Sequence, residues 1–152
     1  METIIKNLTD RFGEKIDCVV KNSRRLFVSV NKQELRPLVE YLFNELKVRF
    51  STATAVEGRT AIEILYHFPF DQKGFVLSLR VAVTEPSPEV DSITPIIEGA
   101  EWVEREIHEM FGVNFAGHPK LERFLLPDDW PEGVFPYRKN TFDSEKEVEE
   151  KE

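Results

Sequence analysis

Cysteine is nearly absent from this 152-residue protein: Cys18 is the only one. A lone thiol builds no disulfide framework, and by itself it supplies no thiolate set for zinc or for an iron–sulfur cluster. Long apolar runs are missing too, and no stretch approaches the ~18 residues needed to span a bilayer. There is no glycine-rich phosphate loop, no Gly-x-Ser-x-Gly turn and no Cys–His pair. Basic charge is in deficit: 20 Lys and Arg stand against 28 Asp and Glu, and the net charge of −8 argues against a nucleic-acid binder. The opening METIIKNLTDRF is amphipathic, with no basic segment leading into an apolar one. No signal peptide is therefore expected, and the protein reads as cytosolic, reaching a membrane only through partners.

What is present is a globular composition, 41% hydrophobic and 11% aromatic, on a chain long enough for one core. Ile4, Ile5, Leu8 and Phe12 mark a short helix that Gly13 caps. Ile16, Cys18 and Val20, then Leu26, Val28 and Val30, alternate around a polar turn and predict a hairpin over 16–30, with Cys18 as a small buried hydrophobe. Asn31 and Glu34 have the spacing of a capping box before the helical stripe Leu35, Leu38, Leu42 and Leu46. Pro37 conflicts with a regular first turn there. Three strands follow, over 48–56, 62–68 and 75–83. Their alternation predicts an antiparallel sheet with one face covered by the main helices, an α+β fold in the order αββαβββα. A helix is expected from about Ala100 to Phe111, ended by Gly112. The expected layout is an α+β domain over 1–112, an extended docking arm over 113–140, and an acidic, solvated tail over 141–152.

Candidate chemistry concentrates between Glu101 and Lys139. Glu104 and His108 are four apart on the helix, so a metal site shared with His118 is one reading; an ordinary charged face with local pairs such as Glu101–Arg105 is the other. His108-Glu109 resembles the start of a zinc-protease helix, but Gly112 occupies the place of the second histidine. Arg105 or Glu106 suits burial against backbone or a partner. His118, in a Gly-His-Pro turn, reads as a hydrogen-bonding latch, and Arg123 as a side chain lying over apolar surface. Asp128-Asp129 suits a turn, and Trp130, Phe135 and Tyr137 look like aromatic anchors. These residues assemble into no active site and instead outline a docking surface.

From Trp102 onward the sequence also resembles a known family. Trp102-x-Glu104-Arg105-Glu106, Met110-Phe111-Gly112, Gly117-His118-Pro119, Leu121-x-Arg123-x-Leu125, Pro127-Asp128-Asp129-Trp130 and Arg138-Lys139 look like the signature of the small hydrophilic, 30-kDa-type subunit of respiratory complex I. The same module occurs in energy-converting membrane-bound nickel–iron hydrogenases and related ferredoxin-linked complexes. The resemblance implies a subunit without a cofactor, the iron–sulfur clusters and any NiFe centre residing in partner subunits. It implies packing on the hydrogenase-like large subunit, beside iron–sulfur subunits, on the cytoplasmic side of the membrane. Trp102, Glu104, Arg105, Glu106, Phe111, Gly112, His118, Pro119, Arg123, Trp130 and Arg138 would then serve subunit docking, and none would be catalytic.

The sequence departs from the family pattern at Glu109, where Asp is usual, at His108, where an aromatic residue is usual, and at Gly133-Val-Phe-Pro-Tyr-Arg-Lys-Asn, which replaces a tighter Gly-His-Pro-Leu-Arg-Lys-Asp. It also lacks the long C-terminal extension of many complex I versions. These departures favour a compact hydrogenase-type or ferredoxin-linked relative over complex I proper. The expectation is a non-catalytic accessory subunit of a membrane-bound, ion-translocating oxidoreductase. The alternatives are a subunit of NADH:quinone oxidoreductase itself, a small metalloenzyme using Glu104 and His108, and a free-standing regulatory domain.

Overall fold

The computed structural model describes residues 1–139; the acidic tail expected over 141–152 lies outside them. The protein opens with α1 (Glu2–Phe12), whose Ile4, Leu8 and Phe12 form one buried stripe. Strands β1 (Ile16–Asn22) and β2 (Arg25–Val30) make the expected hairpin. Helix α2 (Lys32–Glu40) runs on into a π-helical turn over Tyr41–Glu45. Then come β3 (Thr52–Glu57), β4 (Ile62–Phe70) and β5 (Phe75–Val83). A short β6 (Glu89–Asp91), helix α3 (Glu101–Phe111) and β7 (Asn114–Ala116) complete the elements.

The fold is α+β, and its main sheet has the order β1-β2-β5-β4-β3. It is not wholly antiparallel as expected: β2 and β5 pair in parallel, Val28 opposite Leu79. The reason is topological. Helix α2 carries the backbone back across the sheet, so β3 starts in the direction of β2, and two further reversals leave β5 in that direction as well. A second, two-stranded parallel pair, β6 with β7, had no signal in the residue pattern. Three residues are too few for a visible alternation.

One sheet face carries Leu26, Val28, Ile64, Tyr66, Phe68, Leu77, Leu79 and Val81, all buried under helical residues such as Leu8, Leu35 and Leu38. Fully burying one such side chain contributes roughly 1.5–3 kcal/mol. At the edge of the sheet the burial is thinner. Cys18 is only half-buried and Val20 is exposed, because β1 has no strand on its outer side.

Three local expectations need correction. Asn31 precedes α2 but makes no side-chain cap bond, and Glu34 reaches Lys15 instead, at 2.9 Å. Pro37 does not delay the helix; α2 is helical from Lys32 with Pro37 inside it on the solvent side, and the irregularity falls later, in the π-helical turn. The strand expected from Val48 begins at Thr52, since Val48 N–H is drawn back to the carbonyl of Leu42 at 2.9 Å.

Candidate functional site

Helix α3 enters through a tight turn over Glu98–Ala100 and ends at Gly112, whose φ is +76° and whose N–H bonds the His108 carbonyl. A side chain at position 112 would do more than strain the backbone. A Cβ there would lie 2.6 Å from the Phe135 ring, so glycine is what lets residues 133–137 close over the helix end.

The charges of α3 do not pair along the helix, as one reading of the sequence had it. Among the described residues no ion pair links two α3 side chains. Glu104, Arg105 and Glu109 are instead buried and hold non-helical backbone. Four donors converge on the Glu104 carboxylate: Ser92 Oγ at 2.5 Å, Thr94 Oγ1 and the Ile93 N–H at 2.9 Å, and the Tyr66 hydroxyl at 3.4 Å. Burial pushes this carboxyl above its ordinary value, and the bonds from Ser92, Ile93 and Thr94 and the nearby His118 recover only part of the shift. The Tyr66 hydroxyl is pushed well up, first by burial and then by the Glu104 charge.

Glu109 has the opposite balance. Burial acts to raise it, but the N–H groups of Phe124, Leu125 and Leu126 at 2.7–3.1 Å, together with Arg123, outweigh that and hold it below the ordinary value. Arg105 fastens the backbone just before these amides: Nε donates to the Glu122 carbonyl at 3.2 Å and Nη2 to that of Arg123 at 2.9 Å. Its Cζ also lies 5.0 Å from the ring centroids of both Trp102 and Phe124.

The histidines have separate duties. His118 Nε2 donates to the Glu101 carbonyl at 3.1 Å while Nδ1 accepts the Lys120 N–H at 3.0 Å, the latch expected of the Gly-His-Pro turn. His108 Nδ1 donates to the Val113 carbonyl at 2.8 Å. Glu104 and His108 are thus committed to different partners and do not converge on one point, which corrects the metal-site reading. Among the described residues no group of three His, Cys, Asp or Glu is arranged to hold a metal ion.

Residues 117–139 contain no helix or strand, and their backbone is tied to α3 along its length. Arg123 was expected to lie over apolar surface. It bonds the carbonyls of Pro127 and Trp130 instead, because a loop without a ladder leaves acceptors that a guanidinium satisfies. Trp130 Nε1 closes the next bend on the Val134 carbonyl at 2.9 Å, and Asp128-Asp129 occupy a turn. The Tyr137 N–H reaches the Met110 carbonyl at 3.1 Å, and Arg138 joins the Phe111 carbonyl to Glu57 and Glu85.

With Glu104, Arg105 and Glu109 turned inward, part of what faces water is apolar. Trp102 is 56% exposed, Leu125 52% and Phe124 38%, and the Trp102 and Phe124 rings lie 4.9 Å apart. Exposed, charged Glu106 adjoins them. The patch stands on a frame fixed by Arg105 and Glu109, so it is presented rigidly.

The family model described as the respiratory-chain NADH dehydrogenase 30 kDa subunit matches residues 28–147. The chain belongs to that family. Among its relatives, the C subunit of F(420)H(2) dehydrogenase from Methanosarcina mazei is 33% identical over 144 residues, covering 91% of this chain and 89% of that one. The C subunit of NADH-quinone oxidoreductase from Salinispora tropica is 32% identical over 78% of this chain, which spans about half (51%) of that relative. Formate hydrogenlyase subunit 5 of Escherichia coli is 32% identical over 86% of this chain but only 24% of its own length. In structure, a component of the membrane-bound sulfane sulfur reductase, an archaeal respiratory membrane complex, superposes with a TM-score of 0.83 at 26% identity, covering 99% of this chain and 89% of that one. The Nqo5 fragment 1–134, at 17% identity and a TM-score of 0.66, shares the fold.

Of the signature residues of this 30 kDa family, Glu104, Arg105, His118 and Arg138 tie the loops after β5 and α3 to the helix, Gly112 leaves room for Phe135 over its end, and Arg123 and Trp130 fasten bends within the loop itself. Trp102 and Glu106 face outward, Pro119 is exposed in its turn, and Phe111 is in the core. Sequence reasoning missed Glu109, Phe124 and Leu125 as members of the site. Three consecutive amides on one carboxylate leave no spacing pattern, and an apolar pair in a loop reads as an anchor rather than as exposed surface.

Proposed function

We propose that this chain is a non-catalytic accessory subunit of a membrane-bound, ion-translocating oxidoreductase, hydrogenase-type or ferredoxin-linked. In this reading it docks on the hydrogenase-like large subunit and positions it. One observation carries the reading: Trp102 and Phe124 are exposed in contact with each other, with exposed Leu125 next in sequence, on a frame held by the buried charges of Arg105 and Glu109. Rigid aromatic anchors of this kind lose little freedom on association. The iron–sulfur clusters and any NiFe centre would reside in the partner subunits. Among the described residues no helix is long and apolar enough to cross a membrane, so the protein would sit peripherally, on the cytoplasmic side, held by its partners.

A double substitution tests it. Trp102→Glu with Leu125→Glu changes two side chains that are more than half exposed, and circular dichroism checks that the fold is kept. Co-purification with the large subunit should fall at least tenfold. A fully assembled, fully active complex would overturn the docking role. A second reading, a subunit of NADH:quinone oxidoreductase proper, is favoured by similarity to the corresponding subunits of such enzymes in several bacteria. The electron donor oxidised by the purified complex separates the two.

A further inference from the structure

Arg105 is a buried guanidinium without a counter-ion of its own. It is 6% exposed, yet none of the ion pairs among the described residues includes it. Acidic residues are close in sequence but otherwise engaged or turned away. The Glu109 carboxylate is taken by three backbone amides, Glu122 lies 3.5 Å from Lys120, and Glu106 is exposed. Everything that touches the Arg105 charge is neutral: two carbonyls and two aromatic rings. A largely buried charge with neutral partners only gains from an opposite charge brought to its open side.

The open edge of the guanidinium shows where that charge would land. Nε and Nη2 hold the loop, and Nη1 makes no hydrogen bond among the described residues. No enclosed side-chain nitrogen or oxygen there lacks a partner, so Nη1 is reachable by solvent. The guanidinium carbon lies 5.0 Å from the Trp102 and Phe124 ring centroids, so the group adjoins the exposed apolar patch. Nη1 has two free N–H groups and Nη2 one in reserve, so an end-on pair of parallel bonds to one carboxylate is available.

We propose that Arg105 receives a carboxylate, an Asp or Glu side chain or a polypeptide terminus, from the subunit that covers the Trp102–Phe124–Leu125 patch. The occupant is a single protein carboxylate rather than an anionic lipid surface or a nucleic acid. An extended polyanion needs several free cations on a basic face, and this protein carries a net charge of −8. The apolar rim excludes water from the pair and strengthens it. The inference rests on the docking reading above.

Carbodiimide cross-linking of the complex assembled with Arg105→Lys tests it, since the reagent joins an amine to a carboxylate in contact with it. The expected product joins position 105 to an acidic residue or terminus of a neighbouring subunit and is missing from the wild-type complex. Links from position 105 only to acids of its own chain, or none at all, overturn the proposal. Should Arg105→Lys fail to enter the complex, Arg105→Gln decides. Its affinity for the complex stripped of this subunit should fall about 10- to 100-fold at low salt, with a flatter salt dependence than wild type. An unchanged salt dependence overturns the proposal. Trp102 fluorescence on reassociation distinguishes the two failures. If it does not change, the patch stays uncovered and the docking reading itself fails; if it shifts while no carboxylate is captured, only the present inference fails.

Discussion

Gly112 carries two constraints at once. Its φ of +76° belongs to the left-handed region, and the Phe135 ring occupies the place of a side chain. Gly112→Ala should therefore cost roughly 2–4 kcal/mol, strain and displacement together, read from urea denaturation. A loss below about 0.5 kcal/mol would mean that residues 133–137 do not need the helix end. Glu104 and Glu109 make opposite pH predictions from neighbouring turns of one helix. Glu109 is held below its ordinary value of 4.5, so its contribution is full above pH 4.5 and is lost as pH falls through the lower folded value. Amide exchange at Phe124, Leu125 and Leu126 should speed up selectively in that acid range, and in Glu109→Gln it should already be fast at neutral pH. Glu104 is raised above 4.5, so its ionised form destabilises the fold as pH rises from 4.5 through the higher folded value. Glu104→Gln should flatten the pH dependence of urea stability in that window, whereas Glu104→Ala, leaving up to four donors without an acceptor, should cost about 3 kcal/mol or more. Neither role was legible from spacing. A helix interval of four tells which side chains share a face, and says nothing of the loop that comes to lie on it.

At the scale of elements the sequence was more readable. β5 was bounded correctly, over Phe75–Val83, because apolar positions alternate without interruption. The end of α3 followed from Gly112, and the hairpin from its polar turn. Failures came where a backbone hydrogen bond outweighed propensity, as when Leu42 captures the Val48 N–H and delays β3. Pro37 shows the converse. Its ring is exposed inside α2, where it removes one helical bond without packing against the core. Pro37→Ala should restore that bond and raise stability by about 1 kcal/mol, the helical gain being partly offset by a freer unfolded state. A melting temperature below that of wild type would show that the proline is needed for the π-helical turn that follows.

For the whole molecule, the fold class and the family were legible in the pattern and the motifs, while the parallel pairing was not. Direction depends on how many times the backbone turns back, and periodicity does not count reversals. That pairing divides the main sheet unevenly in sequence. β1 and β2 come from the first thirty residues, and β3, β4 and β5 form a meander of local contacts. Only the β2–β5 ladder joins the two, between residues some fifty positions apart. Bringing such distant segments together loses conformational entropy before any contact rewards it. The meander and the hairpin are thus expected to form before the ladder between them, which should limit the folding rate. It is also a natural breakpoint: two fragments divided in the 46–51 connection would each keep their local strand pairs, and their recombination would have to rebuild that ladder together with the packing of α2 on β5.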